Sequence, residues 1–402
     1  MKTNNNYNLI KFAFFTKTVA SLSFGLIVIL SLQKLSISSK LIGSAFSLMP
    51  LIAIFMDIPM GVFADKFSYK SAVLYASIIE VLSTLAFIGA GLFPNLIFLG
   101  FILRGFSTAL DSGAFRLLFL DIGIHHFKEE AIATKNTSMA IQNIARLSSV
   151  IGVGIGLALV SISAYYGLIF SLFFSIATVA IVIQTKNEHV RNRKFHSFKQ
   201  GFSALKSGFQ FSFSSIAIPL LIYSILEGFR TGTDSPAFTP YAKIALNGES
   251  WLWTLALISF SVRLPCNWLC QKFNAKDDRL GFLTPLMFSL VGISFVFMSQ
   301  FPTPIVAIIC IITNFAAYSF RDYWFDVWQI NTIGKEIQLP RATVMSAMSV
   351  LQNISSFIGS QILAHWSLLD NPPIVYLICG LVIIFGSITI FGFQALHQRS
   401  SY

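Results

Sequence analysis

The segment LSSVIGVGIGLALVSISAYYGLIFSLFFSIATVAIVIQT, residues 147–185, has no Asp, Glu, Lys or Arg over its 39 positions. A helix needs about 20 apolar residues to cross the hydrocarbon core of a bilayer. This run therefore holds two spans, with a break near Ser161-Ile162-Ser163. Leu280 to Phe320 repeats the pattern around the turn Gln300-Phe301-Pro302-Thr303-Pro304. Working outward predicts an all-α polytopic membrane protein of twelve transmembrane helices, near 9–33, 40–64, 70–91, 95–121, 135–160, 162–185, 214–241, 250–271, 280–300, 304–330, 342–364 and 373–396.

Composition agrees. The 402 residues are 55% hydrophobic, 14% aromatic and only 11% charged, with mean hydropathy +0.72, whereas soluble domains carry about 25% charged residues. Twelve spans consume about 240 residues, which leaves no room for a soluble catalytic domain. The net charge of +11 comes from basic residues scattered between apolar runs, so no nucleic-acid partner is expected and the excess reads as topology. With the N-terminus inside, 18 Lys and Arg fall on the cytoplasmic side against three, Lys34, Lys40 and Lys243, on the other. Both termini are thus expected in the cytoplasm, with the chain multi-pass in the cytoplasmic (inner) membrane. Lys17 interrupts the first apolar stretch and no small-residue cleavage site follows, so that stretch is read as an uncleaved span. Cys266, Cys270, Cys310 and Cys379 lie inside apolar segments, which suits buried thiols better than a disulfide framework.

The largest basic cluster, Lys186 to Lys206, divides the chain near its middle. It marks residues 186–213 as a cytoplasmic linker between six-helix bundles at 1–185 and 214–402. The halves match at a shift of about 205 residues. Pro59…Lys66-Phe67…Lys70 corresponds to Pro265…Lys272-Phe273…Lys276, and Phe115-Arg116…Asp121-Ile122 to Phe320-Arg321…Asp326-Val327. Several matches in order, at matching depths, suggest a parallel repeat about an axis along the membrane normal.

The stretch Asp57-Ile58-Pro59-Met60-Gly61-Val62-Phe63-Ala64-Asp65-Lys66-Phe67-Ser68-Tyr69-Lys70 resembles the loop motif between spans two and three of the major facilitator superfamily. Gly61, Asp65, Lys66 and Lys70 match it, while Ser68 replaces the usual glycine. Leu339-Pro340-Arg341-Ala342-Thr343 at the start of span eleven resembles a second element of bacterial members. With the half-repeat, the resemblance covers essentially the whole chain. It implies that Asp65 caps the start of span eleven near Arg341 and holds the outward-open state; the bland alternative is a short basic turn obeying charge topology. The second half has Gln271 where Asp65 would recur, so such a lock would act on one half only. The fifth span has Gly152, Gly154 and Gly156 without the Gly-Pro of many exporters, and close helix packing explains those glycines equally well.

A lone charge at membrane depth costs about 2.5–3.5 kcal/mol on insertion scales and is retained mainly when paired or used. The resemblance implies that spans one, four, seven and ten line a central cavity. Lys17 lies on the first, Arg104, Asp111 and Arg116 on the fourth, Glu227, Arg230 and Asp234 on the seventh, and Arg321 and Asp322 on the tenth. The spacing of Glu227, Arg230 and Asp234 puts both carboxylates on one helical face around the guanidinium. That makes the triad the best candidate for proton coupling; the alternative is a static triad of satisfied charges. Arg104 and Asp111 share a face of span four, for substrate contact or for a link to span seven. Arg116 with Asp121 and Arg321 with Asp326 are expected as cytoplasmic salt bridges. Asp57, Arg146 and Arg263 are read as contacts between the halves, and Glu80 as a possible proton relay.

No Gly-x-x-x-x-Gly-Lys-Ser/Thr loop occurs, so the energy source is expected to be an ion gradient rather than bound ATP. No cofactor or metal is expected, the His125-His126 and Glu129-Glu130 pairs reading as solvated surface. The favoured function is secondary active transport of a small organic molecule by alternating access of two halves, proton-coupled and in the export direction, by a monomer in contact with membrane lipid. Uptake or facilitated diffusion of a nutrient, metabolite or siderophore is the alternative within transport. A transporter-like receptor or assembly protein is the alternative from another class, and an enzyme is not expected.

Overall fold

A computed structural model describes residues 2–23, 27–111, 114–129, 136–137, 140–141, 143–145, 147–148, 150–186, 210, 213–214, 217–246, 258, 261–263, 265–266, 269, 277–336, 341–365 and 368–400. No strand occurs among them. The chain divides into two units, Met1–Gly201 and Phe202–Tyr402.

In the first unit the helices are α1 Lys2–Ser23, α2 Ile29–Lys34, α3 Ser39–Phe46, α4 Leu48–Lys66, α5 Tyr69–Gly89, α6 Leu96–Asp111, α7 Ala114–Phe127, α8 Gly156–Ile162 and α9 Ala164–Gln184, with a π-helical stretch at Val150–Ile155 before α8. The second unit contains α10 Ile218–Ala245, α11 Asp277–Gln300, α12 Pro304–Glu336, α13 Arg341–His365 and α14 Pro372–Ser400. The expected eighth span, 250–271, lies almost wholly outside the described residues, as does Arg146. Helix α12 runs six residues past the expected end of its span. Apolar runs end at the first charges, whereas the backbone hydrogen-bond ladder continues into polar sequence beyond the hydrocarbon.

Among the described residues, seven helical stretches are long and apolar enough to cross a membrane: Ser39–Asp57, Tyr69–Gly89, Leu96–Phe127, Ala164–Gln184, Gly281–Gln300, Pro304–Asp322 and Pro372–Gln394. Helices α1, α10 and α13 match them in length, at 22, 28 and 25 residues, but are more polar. Helix starts follow local chemistry. Ser38 caps α3 by accepting from the Leu41 N–H, and Ser68 caps α5 by accepting from the Ser71 N–H at 3.0 Å. Helix α2 ends with Ser36 at φ 61°, where the Ile37 N–H reaches the Leu32 carbonyl and the Ser36 N–H that of Gln33. That is the bond pair that closes a left-handed C-terminus.

Helix α9 displays the solvent it is built for. Its exposed face is Ile169, Phe173, Ile176 and Ile183, while Ser171, Ser175 and Thr178 are buried. A helix that turns apolar side chains outward and hydroxyls inward gains nothing in water and is at home in lipid, where polar groups must be satisfied inside the protein. Thr178 donates to the Thr16 hydroxyl at 2.9 Å and Ser171 to the Ala20 carbonyl at 3.4 Å, joining α9 to α1. Helix α5 packs on α6 and α9, and α4 on α6. In the second unit α11 packs on α12 and α14, while α10 packs on α13 and α14. Glycines make the α10–α13 approach possible. A Cβ at Gly228 would overlap the Gln352 carbonyl, one at Gly232 the Ser356 carbonyl, and one at Gly359 would stand 2.9 Å from the Phe229 oxygen.

Candidate functional site

Among the described residues, each unit brings together a group of charged side chains. In the first, α1 brings in Lys17, α5 brings Glu80, and α6 brings Arg104 and Asp111. Lys17 Nζ stands 3.6 Å from Glu80 Oε2 and 3.3 Å from Asp111 Oδ2, so one ammonium is shared between two carboxylates. Arg104 Nη1 pairs with Glu80 Oε1, and the Ser21 hydroxyl donates to the same oxygen at 3.3 Å. Lys17, Glu80 and Arg104 are all less than 10% exposed. The four charges sum to zero, the condition under which such a group is tolerated at low dielectric. Asp111 keeps one buried oxygen, Oδ1, with no hydrogen-bond partner among the described residues. The sequence placed Arg104 and Asp111 on one face of span four, for substrate contact or a link to span seven. The structure sends them to different partners, and Glu80, read as a lone relay carboxylate, is the hub.

In the second unit Glu227, Arg230 and Asp234 on α10 come together as their spacing requires. Arg230 Nη2 donates to Glu227 Oε1 at 2.7 Å and Nε to Oε2 at 3.0 Å, while Nη1 reaches Asp234 Oδ2 at 2.9 Å. Two further helices complete the group. From α12, Arg321 donates to Glu227 Oε2 at 2.5 Å and to Oε1 at 3.4 Å, and also bonds Asp322 Oδ1. From α14, the Tyr376 hydroxyl donates to Asp234 Oδ1 at 2.9 Å. Arg321 faces Glu227 and Asp322 from α12, while the Asp326 side chain, its expected partner, lies outside the described residues. The guanidinium carbons of Arg230 and Arg321 lie 4.8 and 4.6 Å from the centre of the Tyr318 ring, a cation–π placement worth most where water is excluded. Glu227 thus accepts four guanidinium hydrogen bonds and both oxygens of Asp234 are bonded, whereas the Asp322 side chain is 59% exposed.

The remaining sequence-derived candidates divide as follows. Lys70 donates to the carbonyls of Ile183 at 3.0 Å and Thr185 at 2.5 Å, placing its charge at the C-terminus of α9, where the helix dipole favours a cation. Arg116 is exposed and Asp121 half-buried, both on α7. The side chains of Asp65, Lys66, Asp326 and Arg341, and the surroundings of Gly61, lie outside the described residues. His126 stacks on the Tyr7 ring with centroids 4.7 Å apart. Sequence reasoning missed Tyr318 and Tyr376; the available signal was a tyrosine one turn from a buried arginine, and a tyrosine in an otherwise apolar twelfth span.

No protein-family model and no curated protein matches the sequence. Solved structures do match its fold. The nucleoside transporter NupG superposes with TM-score 0.72 at 14% identity, over 97% of this chain and 99% of that one. The E. coli fucose:proton symporter FucP gives 0.62 at 17% identity, over 97% and 99%. The human organic anion transporter MFSD10 gives 0.66 at 11% identity, over 97% and 100%. The chain has the fold of the major facilitator superfamily. Within the major facilitator fold, the first charged group draws on the helices of spans one, three and four, and the second on those of spans seven, ten and twelve. Glu80 and Tyr376 therefore come from spans outside the four that the resemblance set around a cavity.

Proposed function

We propose that this protein is a secondary transporter, carrying a small polar organic molecule across a membrane by alternating access with coupled movement of protons. The observation that carries this reading is the pair of charged side-chain groups, most of their members buried, inside a fold otherwise built for lipid. Charges this costly are kept where they bind or move a polar cargo, and the structures of similar fold are titled as transporters of nucleosides, fucose and organic anions. The resident membrane is the cytoplasmic one, with both termini on the cytoplasmic side, and the working unit is a monomer.

The proton site is Asp111. Glu227, the sequence-level favourite, is saturated by two guanidinium groups and serves as a fixed counter-charge. Asp111 has one ion pair, to a lysine that Glu80 also claims, and a buried oxygen with no partner among the described residues. A proton on Asp111 would leave Lys17 to Glu80 alone and loosen α1 from α6, which is the kind of two-state element that coupling needs. For direction, uptake in symport with the proton is the stronger reading. The fifth-span glycines that raised comparison with exporters have a packing reason, since a Cβ at Gly152 would stand 2.9 Å from the Val19 carbonyl.

Proteoliposomes loaded with a pH-sensitive dye test this. Addition of sugars, nucleosides, amino acids and organic acids in turn should reveal a solute whose entry carries protons, and Asp111→Asn should leave entry down a gradient but abolish its dependence on the pH gradient. Solute entry without proton movement removes the coupling. Failure of every solute to enter removes the transporter reading.

A further inference from the structure

The second charged group has two open ends. Arg263, within the expected eighth span, has no ion pair or hydrogen bond among the described residues; its guanidinium carbon lies 4.9 Å over the Phe315 ring and its Nε is buried without an acceptor. The arginines of the two charged groups, Arg104, Arg230 and Arg321, each hold a carboxylate. An unpaired guanidinium in a membrane-spanning helix is costly enough that an anion is expected to visit it. Asp322 is the opposite case. It is the one exposed carboxylate of the group, its pairing with Arg321 uses Oδ1 only, and it stands seven residues after Phe315, two turns along the same face of α12. Tyr318, one helical turn before Asp322, is buried and its hydroxyl has no partner among the described residues.

Charge counting narrows what fits. Arg230, Arg263 and Arg321 stand against Glu227, Asp234 and Asp322, three against three, so the group by itself is neutral. A singly charged cargo would leave one charge uncompensated at low dielectric, and a neutral cargo would leave both open ends unfilled. A cargo with one positive and one negative end fills both and keeps the balance.

Resting on the transporter reading, we infer that the cargo is a small zwitterion of the amino-acid type, its carboxylate taken by Arg263 with the Tyr318 hydroxyl, and its ammonium by the free oxygen of Asp322. Phe315, beneath the guanidinium, supplies the apolar wall between them.

The test is binding of the twenty L-amino acids to the purified, detergent-solubilised protein by thermal stabilisation, followed by two analogues of any that bind: the N-acetyl form, which keeps only the negative charge, and the methyl ester, which keeps only the positive. At least one amino acid should stabilise the protein, with both analogues bound at least ~30-fold more weakly, as expected when one partner of a desolvated charge pair is lost. Arg263→Gln should weaken binding about 100-fold, and Arg263→Lys, which keeps the charge and guards against a folding defect, about 10-fold. Binding of none of the twenty, analogues that bind as well as the parent, or an Arg263→Gln variant of unchanged affinity overturns the inference. If a neutral or singly charged solute enters proteoliposomes instead, the transporter reading stands and the zwitterion falls; if no solute enters, both fall.

Discussion

Replacing Glu80 with Gln tests whether the first charged group is one electrostatic unit. The substitution keeps shape and one amide oxygen but removes the negative charge that faces Arg104, Lys17 at 3.6 Å and the Ser21 hydroxyl at 3.3 Å, at a position 3% exposed. Breaking a buried pair by removing one partner costs about 3–5 kcal/mol, mainly because the remaining charge is left uncompensated. Two facts place this variant at the lower end. Lys17 keeps Asp111 at 3.3 Å, and the glutamine oxygen still accepts one bond. A loss of about 3 kcal/mol, at about 2–4 °C per kcal/mol for a unit of this size, lowers the unfolding midpoint by about 6–12 °C. Intrinsic fluorescence of the detergent-solubilised protein during heating measures it, with size exclusion to confirm a folded starting state.

A second arm separates charge from shape. Glu80→Gln combined with Arg104→Gln removes both members of the pair, and exchanging a buried ion pair for neutral groups is often close to neutral. The double variant should recover at least half of the loss. A Glu80→Gln midpoint within about 1 °C of the parent, or a double variant as unstable as the sum of the singles, would refute the argument that these charges depend on one another.

Two further outcomes follow from the second unit. Gly232→Leu should prevent α10 from seating on α13, because even a Cβ there overlaps the Ser356 carbonyl, and should give little monodisperse protein on size exclusion; Gly392→Ala, with nothing within 4 Å of the new carbon, should be neutral or stabilising by about 0.5–1 kcal/mol. Tyr376→Phe removes the hydroxyl that donates to Asp234 at 2.9 Å and should lower stability by about 1–3 kcal/mol. Asp234→Asn added to that variant should then cost less than it does in the parent, since the two groups share a bond; equal costs in both backgrounds would show that they do not act together.

The sequence by itself determined what depends on counting along one chain. Charge-free runs located most of the spans, because hydrocarbon thickness translates into about 20 residues whatever the neighbours do. It also placed Glu227, Arg230 and Asp234 together, because 3.6 residues per turn put positions three and four apart on one face. The shift of about 205 residues between like motifs reads as a repeat of two halves.

Tertiary structure alone decided who meets whom across helices. Arg321 bonds Glu227, 94 residues away, a contact that no spacing along a single helix announces. Glu80, unremarked by any local pattern, became the hub of the first group because α5 lies against α6 with that side chain turned inward. Arg263 and Asp322 became a pair of open ends only once Arg321 was committed to Glu227. Such pairings depend on the rotation and depth of each helix, which packing sets through features like the glycine contacts of α10 with α13. Helical periodicity determines which residues share a face but leaves open what that face will touch.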